Sequence, residues 1–247
     1  MKKITDLLSG MGLIIIFWYI AATIIHHPVI PLPHIVIHKF ILSLTNKEIY
    51  IHLFSSFNRV LIGSIIAICI GLPVGIISGK SKKVDAIISP ILYLLYPLPK
   101  IAFLPVFMVL LGIGNLSKIA LIATIILFPI AVSIRDGIKE IYAEYNTLSL
   151  AFHLTKRELY RHILLPGIIP RLFSSLRITL GISLSVLFIS ENFASSTGIG
   201  YYIMNNWVMA NYEGMYVGIM ALGLLGLLLY IGLESIENTM IPYRKKQ

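Results

Sequence analysis

The sequence predicts an all-α, polytopic membrane protein of six transmembrane helices interrupted by one long polar loop, and three observations carry that reading. Of its 247 residues 57% are hydrophobic and 13% charged, with mean hydropathy +0.88; a soluble domain carries about 25% charged residues. Apolar stretches of bilayer-crossing length, ~20 residues, recur at about 8–26, 56–78, 86–112, 117–134, 168–191 and 214–236. Most of the Lys and Arg residues fall in alternate connections: Lys2 and Lys3; Lys80, Lys82 and Lys83; Arg135, Lys139, Lys156, Arg157 and Arg161; Arg244, Lys245 and Lys246. The opposite loops add little beyond Lys39, Lys47 and Lys118. The positive-inside rule then places both termini and the loop at 135–167 in the cytoplasm. Six spans with both ends inside alternate correctly. The whole chain, 1–247, reads as one transmembrane domain in a lipid bilayer.

The net charge of +9 does not indicate nucleic acid, because the basic residues flank apolar runs and form no separate arm. The first run, with Lys2 and Lys3 ahead of it, has the charges of a signal peptide but no small-x-small cleavage site, so it reads as a retained span. A lone Cys69 in an apolar run excludes an intramolecular disulfide and reads as a core residue. Between the first two spans, His26, His27, His34, His38 and His52 lack metal-ligand spacing. That stretch reads as short interfacial helices on the outer side, with Arg59 near the headgroups.

The second span carries Gly63, Ala67, Gly71, Gly75 and Gly79 at every fourth position, a face of small residues that lets another helix approach closely. Gly75 to Ser81 imitates a phosphate-binding loop but is one residue short between its glycines, and a helix precedes it. The third span holds Pro97, Pro99 and Pro105 around Lys100. Prolines at membrane depth are tolerated where backbone is buried in protein or lines a cavity. Lys100 is therefore a pathway candidate, with snorkelling or neutralisation of Glu191 as the alternatives. At the outer end of the fifth span, Ser190, Glu191 and Asn192 lead a polar cluster that either lines a cavity or ties helices together. No nucleophile elbow, zinc helix or acid pair is present, so the residues offer no active site. They predict no enzyme activity.

The polar loop has its own helix signals. Thr155 and Glu158 form a Thr-x-x-Glu capping box, and Pro166 is expected to stop the helix that follows. Leu159 and Ile163 lie four apart on one face, beside the basic Lys156, Arg157 and Arg161.

Together these pieces resemble the membrane permease subunits of ABC importers, over nearly the whole chain. LYRHILLP, continuing into GIIPRLFSSLRITLGISLSVLFISENF, is similar to the second half of the family's coupling loop. TGIGYYI resembles its outer Gly-x-Gly-Tyr stretch. HLFSSFNRVLIGSIIAICIGLPVGIISGKS and YPLPKIAFLPVFMVLLGIG are similar to spans of the nitrate/sulfonate/taurine branch. Counting back from Pro166, the signature Glu-Ala-Ala positions fall on Thr147, Leu148 and Ser149, and the signature glycine on His153, so the first half of the loop departs from the pattern.

The resemblance implies a type I importer permease whose loop docks on a cytosolic ABC ATPase. Leu159 and Ile163 would fill a cleft of that ATPase, and Lys156, Arg157 and Arg161 would meet its acidic rim. It also implies a second permease subunit, most simply an identical one, and an extracytoplasmic solute-binding protein. ATP and Mg would be held by the ATPase, with no cofactor on this chain. The expected solute is small: sulfonate, taurine, nitrate, bicarbonate or a vitamin precursor. An ion-coupled secondary transporter would need paired intramembrane carboxylates or matching broken helices in two halves; no internal repeat supports it. A non-transporting scaffold leaves the broken third span unexplained.

Overall fold

The computed structural model describes the backbone of residues 2–151 and 155–241 and, within these, the side chains of all but 2–8, 144–151, 156 and 160. The described chain is helical throughout, in the order α1 (Lys2–Ile25), α2 (Pro33–Ser43), α3 (Lys47–Lys80), α4 (Lys82–Leu95), a 3-10 turn (Lys100–Phe103), α5 (Leu104–Leu111), α6 (Asn115–Ala151), α7 (Lys156–Glu158), a π-helical stretch (Leu159–Leu164), α8 (Leu165–Glu191), α9 (Ile199–Val208) and α10 (Tyr212–Met240). Among the described residues, four helices are long and apolar enough to cross a bilayer: Lys47–Lys80, Asn115–Ala143, Arg161–Glu191 and Tyr212–Met240. Lys82–Leu95 and Lys100–Leu111 add a fifth as a pair bent by 90°. The first expected span is helical, with a shorter apolar part at Ser9–Ile25.

Two of the expected spans change here. The third span is not one helix over 86–112: Pro97 and Pro99 remove backbone donors between Leu95 and Lys100, and the chain turns sharply. The second span does not begin at 56. Its helix starts at Lys47, so the segment expected to hold only interfacial helices ends inside α3.

The chain divides into two compact units, 1–56 with 195–224 and 57–194 with 225–247. In the first, the Trp18 ring stacks on Tyr216 with centroids 5.2 Å apart, and its indole N–H donates to the Pro31 carbonyl at 3.0 Å. Gly198 opens α9 at φ 120°, a conformation that disfavours any side chain. Its N–H donates to His52 Nδ1 at 3.1 Å, and the Ile199 N–H donates to Ser56 Oγ at 2.8 Å. Two free donors of a helix start are thereby satisfied from α3.

In the second unit, α6 forms the centre. Ile122, Ile126, Ile130, Ile134 and Ile138 repeat every fourth residue and are all fully buried. The small-residue face of α3 lies on this isoleucine column. A Cβ added at Gly63 would sit 2.8 Å from the Ile122 side chain, at Gly75 2.7 Å from the Ala131 carbonyl oxygen, and at Gly79 2.8 Å from the Arg135 carbonyl oxygen. At Gly71 it would sit 2.9 Å from the Leu127 carbonyl oxygen, and Ala67 is fully buried between these positions. Without water to exclude, such close backbone approach and van der Waals contact are what hold helices together in lipid. Cys69 is exposed, contrary to its expected core position; it lies off the small-residue face, where α3 presents side chains outward.

Candidate functional site

The features that bear on function lie along α8, within the second unit. At its start, Thr155 and Glu158 form the capping box expected from their spacing. The Thr155 N–H and hydroxyl donate to Glu158 Oε2 at 2.9 and 2.6 Å, and the Glu158 N–H donates to Thr155 Oγ1 at 3.3 Å. The Thr155 hydroxyl, then its N–H, holds the exposed Glu158 carboxyl below its ordinary value.

Pro166 does not end this helix. The π-helical stretch leads directly into α8, where Pro166 occupies the first turn. Proline is tolerated at a first turn, where its missing N–H has least to lose, and the wider π-helical winding precedes it. The loop segment and the fifth span therefore form one continuous helix, Arg161–Glu191 being 31 residues long.

Leu159 and Ile163 also differ from expectation. Both are half-buried and packed on the core around Ile138, Ile141 and Ile168, and so do not project as free apolar knobs. Thr155, Arg157, Glu158, Arg161 and His162 are the exposed side chains among those described in the segment, and Arg157 and Arg161 form no ion pair among the described residues. The side chains of Thr147 and Lys156, and all of His153, lie outside the described residues.

At the far end of α8, Glu191 is fully buried and Arg59 of α3 is 3% exposed; Arg59 Nη1 donates to Glu191 Oε1 at 2.5 Å. The same guanidinium donates from Nε and Nη2 to Asn115 Oδ1 at 2.9 and 2.7 Å. Lys118, also fully buried, donates to the Gly114 carbonyl at 3.2 Å. Ser190 is buried and donates to the Leu187 carbonyl at 2.9 Å, and Asn192 caps the helix through its backbone N–H. Arg59 is thus the partner of Glu191; it is not a headgroup residue, and Lys100 does not neutralise this carboxylate. The sequence holds a signal for the pairing, since Arg59 stands inside the apolar run 56–78 and a cation at that depth needs a partner.

Lys100 sits at the bend between α4 and α5. Its ammonium donates to the Leu95 carbonyl at 2.8 Å and to the Tyr96 carbonyl, and lies 5.0 Å from the centre of the Phe128 ring. It caps the carbonyls left open where α4 stops. A cavity of about 310 Å³ lies beside it, lined among others by Tyr96, Ile125, Pro129 and Ile182. A second, of about 230 Å³, shares Tyr96, Pro129 and Ile182 and adds Ser133, Ser174, Ser175 and Thr179.

Further charges brace the helices near the loop end. The buried Arg135 bonds to Asp136 at 2.8 Å, Ser89 at 2.6 Å and the Tyr93 hydroxyl at 2.9 Å, and Lys139 pairs with Asp85 at 2.6 Å. Arg177 pairs with Glu237, joining α8 to α10. Both Arg135 and Arg177 escaped the sequence reading as tie points, because Ser89 and Tyr93, which Arg135 reaches, and Glu237, which Arg177 reaches, are distant in sequence.

Apolar helices of bilayer-crossing length, a third span broken at prolines and a capped polar segment continuous with a later span are the features of a multi-pass membrane protein. Residues 71–241 match the family described as binding-protein-dependent transport system inner membrane component. The chain belongs to that family: it is a multi-pass membrane permease subunit of an ATP-binding-cassette importer, of the nitrate/sulfonate/taurine branch, and works with an ATPase and a solute-binding protein.

Among its relatives, it is 27% identical to the taurine transport system permease protein TauC of Escherichia coli strain K12, over 98% of this chain and 90% of that protein. It is also 27% identical to the formylaminopyrimidine transport permease protein ThiX of Halalkalibacterium halodurans, over 95% and 94%. With the nitrate import permease protein NrtB of Synechocystis the identity is 28%, over 82% and 74%. The fold is similar to a chain of the methionine ABC transporter MetNI in inward-facing conformations, with TM-score 0.64 and 20% identity over 76% of this chain and 94% of that one.

Proposed function

We propose that this chain is a single permease domain with six spans and both termini in the cytoplasm, acting as a homodimer that carries a small solute of the taurine or nitrate kind. The segment 155–166 is its ATPase-docking element, and ATP and Mg belong to the ATPase. The observation that carries this reading is the capped, exposed and basic start of a helix that continues without a break into α8. Motion imposed on Arg157 and Arg161 by ATPase closure travels along a rigid rod to Glu191, with no covalent chemistry on this chain. The guanidinium groups suit carboxylates on the ATPase rim. Thr147 and His153 belong to the same docking surface because they fall at the signature glutamate and glycine positions, although neither keeps the signature residue.

Lys100, Ser190, Glu191 and Asn192 frame the path without holding solute. Lys100 sets the bend beside the cavities, and Glu191 with Arg59 closes the outer end. The reading is tested by purifying the Arg157→Glu/Arg161→Glu variant in the presence of the ATPase. The unaltered chain retains the ATPase, and the variant loses it while staying folded. Retention at unchanged yield would refute docking through this face.

A further inference from the structure

A cavity of about 730 Å³ opens in the first unit, where the end of α1 meets the start of α10. Ligand pockets fall in the range of roughly 300–1,000 Å³. Its lining includes Thr23, His26, His27, Ile35, Asn211 and Glu213. The apolar part of α1 ends at Ile25, and the bilayer-crossing α10 begins at Tyr212. Two apolar helices therefore leave the hydrocarbon at this cavity. Aromatic side chains mark the same level, as they do at membrane interfaces: Trp18 stacks on Tyr216, and the Tyr19 hydroxyl bonds to His34 Nδ1. Between the lining residues Thr23 and His26, Ile24 and Ile25 are exposed, as side chains that meet acyl chains would be.

The polar groups of this lining are exposed, and each keeps an atom in reserve. The Val29 N–H donates to His27 Nδ1 at 3.2 Å, so a neutral His27 carries its hydrogen on Nε2, a donor without a partner among the described residues. His26 Nδ1 lies 3.4 Å from the Ile24 carbonyl oxygen, which can only accept, and its Nε2 is then an acceptor. Glu213 Oε2 pairs with Lys39 at 3.2 Å, while Oε1 has no hydrogen-bond partner among the described residues. His26 at φ 46° and Ala210 at φ 54° hold the left-handed conformation that glycine usually takes at a helix end. Strain of this kind clusters at ligand sites, and both residues line the cavity.

We propose that this cavity binds the headgroup of a phospholipid bearing a primary ammonium, phosphatidylethanolamine. The Glu213 carboxylate and His26 Nε2 accept from the ammonium, and His27 Nε2 donates to the phosphate. Hydrogen bonds with an ionised partner are the strong ones. A trimethylated choline headgroup has no N–H to offer, and a glycerol headgroup has no cation, so the site discriminates by chemistry. The position at the end of two apolar helices favours a lipid over a soluble protein segment, since acyl chains reach this level from the bilayer. The proposal rests on the six-span reading in one respect, that α1 crosses the membrane; it is independent of the ATPase and of the solute.

The full chain, purified in detergent, is titrated with phosphatidylethanolamine, phosphatidylcholine and phosphatidylglycerol, and bound lipid is counted by native mass spectrometry. The unaltered chain is expected to hold phosphatidylethanolamine about tenfold more tightly than the other two. Equal retention of the three overturns the proposal without recourse to any variant. Glu213→Gln lowers the affinity for phosphatidylethanolamine about tenfold, the loss of one charge-assisted hydrogen bond. Lys39→Gln breaks the same ion pair but keeps the carboxylate, and the lipid preference persists. An unchanged preference in Glu213→Gln, or an equal loss in Lys39→Gln, overturns the proposal. So does a chain without lipid preference whose Glu213→Gln variant loses stimulation of ATP hydrolysis by the solute-binding protein, which would make the cavity a protein-docking site. Val29→Cys in a Cys69→Ala background, expected to react with an impermeant maleimide in intact spheroplasts, checks the topology separately. Reaction only after lysis would refute the six-span reading and the proposal with it, so the two failures are distinguishable.

Discussion

At the loop end of the helix that includes Arg161–Glu191, Arg157, Arg161 and His162 are exposed, and neither arginine has an ion-pair partner among the described residues. At the other end, Glu191 is fully buried and the Arg59 guanidinium reaches it at 2.5 Å. The two ends use the same kinds of charge for opposite purposes. Exposed cations on a capped start cost little to keep in water and remain available to a partner. A buried pair stabilises the fold little in net terms, because desolvation of both ions offsets their attraction, yet losing one partner strands the other in an apolar interior. The first arrangement suits a surface that is occupied in the assembly. The second suits a junction that holds α3, α6 and α8 in register and allows few alternative arrangements.

The sharpest way to break this contrast is at the buried end. Arg59→Ala or Glu191→Ala, made singly, is expected to destabilise the purified permease by about 3–5 kcal/mol, read as a large fall in its unfolding temperature in detergent. The paired change Arg59→Met with Glu191→Leu removes both charges and recovers most of that loss. Equal instability in the paired variant would show that the pair contributes more than mutual neutralisation. The charge reversals at Arg157 and Arg161 are expected to change stability by no more than about 0.5 kcal/mol, although they abolish ATPase retention.

Between the two ends, stability depends on close approach of backbones. Gly75→Leu would drive a side chain into the Ala131 carbonyl oxygen and Ile134, 2.7 and 2.8 Å from the position of its Cβ. Overpacking of this kind costs about 1–3 kcal/mol. Gly232→Leu serves as the control, since a Cβ there meets nothing within 4 Å. Equal melting temperatures for the two variants would remove the small-residue face from the account.

How legible these regions were follows from the range of the interactions involved. The capping box and the small-residue face were readable, because each is set by residues three or four apart whose geometry is fixed within one helix. The break at Pro97 and Pro99 was legible as an interruption, but its 90° angle was not. The Arg59–Glu191 pair joins residues 132 apart in sequence. Hydropathy marked Glu191 as anomalous but could not name its partner: Arg59 read as a headgroup residue and Lys100 as the candidate, whereas the Lys100 ammonium caps α4. Pro166 misled for a physical reason: a proline rule written for α-helices does not anticipate a π-helical stretch immediately before it. The inward packing of Leu159 and Ile163 was hidden because their spacing defines a common face without saying what covers it.

The smallest effect expected is local to the exposed end. Thr155→Ala removes the side-chain cap and should cost about 1 kcal/mol of helix-start stability, read as faster amide exchange over the turn beginning at Lys156. Glu158 supplies the reciprocal half, and its contribution depends on pH. Its carboxyl titrates below the ordinary 4.5 in the folded chain, because the Thr155 hydroxyl and N–H bond to the charged form. A group whose folded pKa is depressed contributes its full share above the unfolded value and loses it as pH falls through the folded one. Amide protection at 156–158 should therefore be constant above 4.5 and decline below it. Glu158→Gln should flatten that decline, since the amide still accepts from Thr155 but does not titrate. The buried end provides the internal contrast: over the same range, protection around Ser190 should not follow the Glu158 titration. A parallel decline at both ends would mean that the two are coupled through α8 even without the ATPase, and that the exposed start is no independent docking element.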